Sequence, residues 1–162
     1  MICTNCGHEL NEGLKFCTKC GARQYQYRVV KKNGPMFYVA EVFRKYVVFK
    51  GRARRAEYWW FVLFIIIFLV VLRILNEIVI GYMVRIGITI DIIVMTSNII
   101  GVITNILFLG TLLPGISVGV RRMHDCNKSG WFLLIPIYNL ILCCNIGTYG
   151  SNRYGSNPKY EE

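Results

Sequence analysis

The chain has 162 residues, of which 54% are hydrophobic and only 17% are charged. This balance differs from the soluble average in the direction of membrane proteins, and the length allows one main domain and a small accessory one. A formal net charge of +10 first suggests nucleic acid as a partner. However, twelve of the nineteen basic residues lie in 15–55 and three more in 121–128, beside long apolar stretches. That placement indicates membrane topology rather than nucleic-acid binding.

Two Cys-x-x-Cys-Gly motifs open the chain. Each presents two thiolates from a tight turn, and together Cys3, Cys6, Cys17 and Cys20 predict a closed, tetrahedral zinc site of two knuckles. Four protein ligands leave no position for water, so the predicted Zn²⁺ is structural. Redox dithiols or disulfides are the alternative, but so short a segment has too little core to fold without its metal. His8 is interpreted as a surface residue.

Residues 1–23 therefore form a predicted domain that resembles the zinc-ribbon modules at the N-termini of many bacterial membrane and regulatory proteins. Reduced, metal-bound cysteines suit the cytoplasm, which places the N-terminus inside. A basic linker follows at 24–35. Apolar residues then recur near the helical period over 36–50, which predicts a short amphipathic helix on the inner membrane surface. A helix packed on a soluble core is the alternative.

The membrane domain is predicted to cover residues 36–160. Three arginines, a tyrosine and two tryptophans in 51–60 precede an uncharged apolar run, the order in which a chain enters a bilayer. The first apolar run is expected to act as an uncleaved signal anchor. Spans are expected near 58–80, 92–113 and 131–149, although the last segment contains Pro136 and is alternatively re-entrant. The predicted fold is a membrane all-α bundle of about three, or four, transmembrane helices.

Three separated motifs resemble a known family. They are Gly51-Arg52-Ala-Arg54-Arg55-Ala-Glu57-Tyr58-Trp59, Arg121-Arg122-Met-His124-Asp125-x3-Ser129-Gly130-Trp131, and Asn152-Arg153-Tyr154-Gly155-x2-Pro158. In this order they resemble the small bacterial inner-membrane (YhaH-like) proteins called domain of unknown function 805. The resemblance covers roughly residues 37–160 and implies a multi-pass cytoplasmic-membrane protein, without an established reaction. The motif residues expected to be structural are Gly51, Glu57, Tyr58, Trp59, Ser129, Gly130, Trp131, Asn152, Gly155 and Pro158.

If two spans separate the first two motifs, both lie on the cytoplasmic face. We hypothesise one cationic patch there for anionic lipid or another phosphorylated ligand, with Glu57 and Asp125 orienting the guanidinium groups. Its members are Arg52, Arg55, Arg121, Arg122 and His124, together with Asp125. His124 and Asp125 could instead form an acid–base pair, but an interfacial structural loop is the favoured interpretation.

The sequence favours a non-enzymatic protein of the inner membrane, in contact with lipids and with a protein partner bound by the ribbon. A homo-oligomer is compatible with this. An oligomeric transporter or channel is the alternative, in which Arg73, Glu77, Asn98, Asn105 and Asn139 line a site at membrane depth. A lipid-phosphate enzyme lacks a strong catalytic motif. Nucleic acid is not expected, because residues 1–23 offer no aromatic stacking platform.

Overall fold

The computed structural model describes residues 3, 6, 8–11, 14, 16–22, 28–29, 34–148, 150–158 and 160–161. This part of the chain is mainly helical, with one pair of two-residue strands. Two long helices form an antiparallel hairpin, and the shorter helices pack where the first long helix begins and the second ends. We call this end the base of the hairpin.

Helix α1 comprises Pro35–Arg44 and begins with proline, whose missing N–H is not needed in the first turn. Its buried side chains, Tyr38, Val39 and Val42, recur at helical spacing, and the helix packs against both long helices. The predicted helix continued to Lys50, whereas α1 ends at Arg44. Its position at a membrane surface stays a prediction.

Helix α2 comprises Arg55–Arg85, whose 31 residues rise about 46 Å. Glu57 lies in its first turn and Arg85 in its last, so each charge has the sign that the helix macrodipole favours at that end. The predicted span 58–80 lies within α2, and residues 86–89 connect it to the next helix.

Helix α3 comprises Ile90–Asp125 and contains the predicted span 92–113. Pro114 lies inside it without ending it. A proline removes the hydrogen bond to the carbonyl four residues earlier, here that of Gly110. The Tyr46 hydroxyl donates to that Gly110 carbonyl instead. The helix therefore continues because a side chain from outside it replaces the lost donor.

The predicted third span at 131–149 is not one continuous helix in the structure. This segment divides into a 3-10 helix, Gly130–Leu134, and α4, Pro136–Cys144. The break precedes Pro136, because a proline disfavours helical backbone at the residue before it. The nine residues of α4 rise about 14 Å, roughly half of a hydrocarbon core about 30 Å thick. Neither piece is long enough to cross.

The described residues contain two helices, α2 and α3, that are long and apolar enough to cross a membrane. Only 0% and 6% of their most apolar stretches is buried inside the protein, whereas a core helix of a soluble protein is mostly covered. The buried core lies instead at the base, where Val42, Ala53, Phe61 and Val118 join α1, α2 and α3. The hairpin above it presents its apolar surface outward.

A short strand after the cysteine segment pairs with a strand of the C-terminal tail. Strand β1, Arg28–Val29, pairs antiparallel with β2, Tyr160–Glu161, so the linker after the cysteine segment meets the C-terminal tail. If α2 and α3 both cross the membrane, the linker and the tail lie on the same side of it.

We expect reporter fusions at the N- and C-termini to report the same side, since two crossings return the chain to its starting side. Alkaline phosphatase and green fluorescent protein fusions in cells measure this. A reporter inserted in 86–89 is the control and should report the opposite side. Opposite reports from the two termini would require a third crossing and would contradict the hairpin.

Candidate functional site

Five charged side chains are buried together at the base of the hairpin. We call them the ion-pair cluster: Arg52, Glu57, Arg121, Arg122 and Asp125. They come from the segment before α2, the first turn of α2 and the last turns of α3, and none is more than 7% exposed. Buried charges need close partners, so the contacts of each side chain define what the site can do.

Asp125 is the centre of the cluster. Its Oδ1 accepts a hydrogen bond from Nε of Arg52 at 2.9 Å and lies 2.8 Å from Nη2 of the same guanidinium. Its Oδ2 accepts from Nη1 of Arg122, one turn earlier on α3. One carboxylate thus joins the segment before α2 to the end of α3.

A second ion pair joins the two long helices directly. Nη1 of Arg121 on α3 lies 2.8 Å from Oε1 of Glu57 on α2. Among the described residues, Nε and Nη2 of Arg121 have no hydrogen-bond partner. The pair therefore fixes the hairpin at its base, although it leaves part of the guanidinium unsatisfied.

The ion-pair cluster also forms hydrogen bonds with the C-terminal end of α4. The last four carbonyls of a helix have no partner within it, and here residues of α2 and α3 donate to them. Arg122 Nη2 donates to the carbonyls of Leu142, at 3.1 Å, and Asn145. The Trp59 indole donates to the carbonyl between them at 143 (3.3 Å), and Arg55 to the one at 144 (3.2 Å). These donors hold the short helix against the base.

Arg52 holds the tail that follows α4. Its guanidinium donates to the carbonyls of Thr148, at 2.6 Å, and Gly150, at 2.7 Å. The Thr148 amide donates to the Asp125 carbonyl at 2.9 Å. A Cβ at Gly147 would overlap the Asp125 carboxylate, so this position requires glycine for close approach.

His124 faces away from these contacts. Its Nδ1 lies 3.2 Å from the Gly51 carbonyl, and its ring stacks on Tyr154 at 3.8 Å between centroids. Asn152 donates to the His124 carbonyl at 2.9 Å, which places the third motif beside the second. His124 and Asp125 thus have separate partners, and the geometry is not that of an acid–base pair.

The structure brings the predicted patch residues to one end of the hairpin, but it corrects the prediction of an open cationic surface. Arg52, Arg121 and Arg122 are buried and paired with carboxylates, since a guanidinium removed from water needs its charge compensated. Of the predicted cations, Arg55 is exposed and His124 is half-buried. The three buried arginines therefore form ion pairs inside the base rather than a cationic surface.

The remaining motif residues shape turns and contacts. Gly51 and Gly155 have φ of +89° and +129°, a backbone region that favours glycine. Gly130 packs closely on Val120, and the Pro158 carbonyl accepts a hydrogen bond from Arg54. Tyr58 is half-buried, Ser129 precedes the 3-10 helix, and Trp131 is 80% exposed.

Sequence reasoning missed Ser117 and Thr148. Ser117 is fully buried and donates to the carbonyls of Lys45, at 3.1 Å, and Val48, at 2.7 Å, which fastens the turn after α1 to α3. A serine in an apolar helix gives no signal of such a distant partner. Thr148 acts mainly through its backbone, which no side-chain motif can indicate.

The four N-terminal cysteines converge as predicted. Their Sγ atoms all lie within 4.8 Å of one another, with 3.7 Å both between Cys3 and Cys20 and between Cys6 and Cys17. Ligands about 2.3 Å from a tetrahedral zinc ion are about 3.8 Å apart, so the spacing fits. A backbone hydrogen bond at His8 lowers the pKa of Cys6, but the surrounding thiols and burial outweigh it and raise that pKa to about 12.

The polar residues of the alternative transporter site are separated. Arg73 and Asn105 line one cavity of about 180 Å³ between α2 and α3. Asn139 lies in α4, where its amide donates to the Leu133 carbonyl at 3.2 Å. Arg73 and Glu77, four residues apart on α2, form no ion pair within the described chain, and both are exposed.

Comparison with known proteins identifies the membrane domain. Residues 46–156 match the family described as protein of unknown function (DUF805). The chain belongs to this family. Inner membrane protein YhaH of Escherichia coli (strain K12) is 36% identical over 133 residues, covering 78% of this chain and 99% of YhaH. Inner membrane protein YhaI of the same strain is 35% identical over 133 residues, covering 77% and 98%.

Residues 2–24 separately match a zinc-ribbon domain, which agrees with the four-cysteine cluster. None of the solved structures matches the chain significantly. The chain is thus a DUF805 inner-membrane protein with a zinc ribbon whose cysteine cluster suits a metal.

We expect Asp125→Asn to destabilise the protein by about 3–5 kcal/mol, because it leaves two buried guanidinium groups without their counter-charge. The matched control is Asp91→Asn in the exposed first turn of α3, which should cost at most about 1 kcal/mol. Thermal unfolding in one detergent, followed by tryptophan fluorescence, measures both. Equal shifts would show that the cluster contributes no more than a surface charge.

Proposed function

We propose that this protein is a non-enzymatic scaffold of the bacterial cytoplasmic membrane that displays a zinc ribbon for protein contact. The sealed ion-pair cluster is the observation that supports this most. The charged side chains that looked available for ligand or chemistry are used to hold α2, α3, α4 and the tail together. Such a cluster makes a rigid base, and the ribbon is the element left to bind a partner.

The proposed orientation has the base, the ribbon and both termini in the cytoplasm. Cations remain exposed around the base, where they would contact anionic head groups in place of the buried arginines. They are Arg44, Lys50, Arg55, Lys128 and Arg153. An excess of lysine and arginine on this side agrees with the positive-inside rule, and reduced cysteines agree with the cytoplasm.

Two apolar surfaces support a base that lies at the lipid interface. Met36 and Phe37 are exposed on α1, and Trp131 and Ile137 are 80% and 78% exposed in the segment after α3. Aromatic and aliphatic side chains beside cations are typical of interfacial helices. We therefore keep α1 as an interfacial helix and assign the α4 segment to the same interface.

The ribbon is proposed to hold one structural Zn²⁺ on Cys3, Cys6, Cys17 and Cys20. A four-thiolate site is closed, so the ion would stabilise the fold of the ribbon rather than bind substrate. The ribbon surface would then depend on the metal, since so small a segment has little core of its own.

We expect affinity capture of the full chain in mild detergent to recover a protein partner that is lost with Cys17→Ser, because loss of one ligand unfolds the binding surface. The matched control is Cys144→Ser, an exposed cysteine outside the ribbon, which should retain the partner. Quantitative mass spectrometry of the three captures makes the comparison.

Zinc content measured on the same samples separates the two parts of this proposal. Wild type and Cys144→Ser should contain about one zinc per chain, and Cys17→Ser much less. A zinc content near zero in wild type would contradict the metal site. Loss of zinc with every partner retained would contradict the role of the ribbon in contact.

An oligomeric transporter or channel of small solutes or ions is the second candidate. The observation that favours it is the polar cavity at membrane depth, which is lined by Arg73, Asn76, Thr104 and Asn105. Polar groups inside a bilayer commonly mark a pathway or a helix contact. Flux across proteoliposomes would favour transport, whereas its absence over common ions and metabolites favours the scaffold.

A further inference from the structure

Two opposite charges lie on the exposed surface of the hairpin, within a helix that is long and apolar enough to cross a membrane. Arg73 is 18 residues into α2, about 27 Å from Arg55, and Glu77 is one turn further. Both are exposed, and within the described chain neither has an ion-pair partner. A charged side chain in hydrocarbon is costly unless another protein group covers it, so these residues indicate a contact outside this chain.

Pairing between Arg73 and Glu77 on their own helix does not remove this requirement. At i,i+4 a basic residue before an acidic one is the less favourable order, because it opposes the helix dipole. A pair formed there would also still face lipid on its outer side. A partner is needed that supplies an acid opposite Arg73 and a base opposite Glu77.

The surface beside these charges suits close approach of another helix. Gly101 on α3 faces open space, since a Cβ built there meets no atom within 4 Å. It lines the same cavity of about 180 Å³ as Arg73. In that cavity the buried Oδ1 of Asn76 has no hydrogen-bond partner among the described residues. Small residues and amides at one level of a membrane helix are typical of helix–helix interfaces.

We propose that this face of the hairpin binds a second copy of the chain about a twofold axis along the membrane normal. Copies inserted in the same direction present equal residues at equal depth. Arg73 and Glu77 differ by four residues, about 6 Å of rise, which an arginine side chain can bridge. Arg73 of each copy then pairs with Glu77 of the other, so the surface is self-complementary. This inference goes beyond the scaffold proposal and does not depend on the zinc ribbon.

The test reverses one charge at a time in the full chain. Subunits are counted by single-molecule photobleaching in liposomes at high lipid-to-protein ratio, using two fluorescent fusion colours. Wild type should give two copies per complex. Arg73→Glu and Glu77→Arg should each be monomeric alone, because each places like charges across the interface.

A mixture of the two variant chains should form complexes that contain both colours, because the acidic face of one then meets the basic face of the other. This recovery also shows that neither variant is misfolded. Arg85→Glu, at the far end of α2, is the control and should remain dimeric. A monomeric wild type, dimers of either variant alone, or no association in the mixture would each overturn the proposal.

Discussion

The Asp125 carboxylate lies between the Arg52 and Arg122 guanidinium groups, and the order of the whole base follows from it. With the Arg121–Glu57 pair, three buried positive charges face two negative ones. The excess positive charge is placed against main-chain carbonyls at the C-terminal end of α4, where the helix dipole is negative. The carbonyls of the short helix therefore contribute to the electrostatic balance of the base together with the two acids.

Different interactions stabilise different parts of the molecule. At the base, burial and paired charges specify one packing, because an unpaired charge there is strongly unfavourable. In the hairpin above it, the side chains mostly face outward and the hydrophobic surface is matched by lipid. The cysteine segment has a buried cluster of its own, formed by Cys3, Leu10 and Cys17. Among the described residues, this cluster shares no member with the clusters at the base.

The sequence predicts those features of the structure whose signal is a residue spacing or an apolar run. The paired Cys-x-x-Cys motifs placed four sulfur atoms together, the apolar runs located α2 and α3, and three motifs indicated one common region. The burial of Arg52, Arg121 and Arg122 was not accessible, because a cation beside a span normally indicates a surface. For 131–149 the sequence left a span and a re-entrant segment open, because its composition permits a span and Pro136 interrupts it; the structure shows two short helices.

The bond from Tyr46 to the Gly110 carbonyl links a bilayer helix to the segment that bears the ribbon. Pro114 leaves that carbonyl without its usual backbone donor, and the Tyr46 hydroxyl donates to it instead. Any bend of α3 at the proline must stretch or break this bond, and the turn after α1 would move with it. Movement of α3 at the proline is thus coupled, through one hydroxyl group, to the segment that joins α1 to α2.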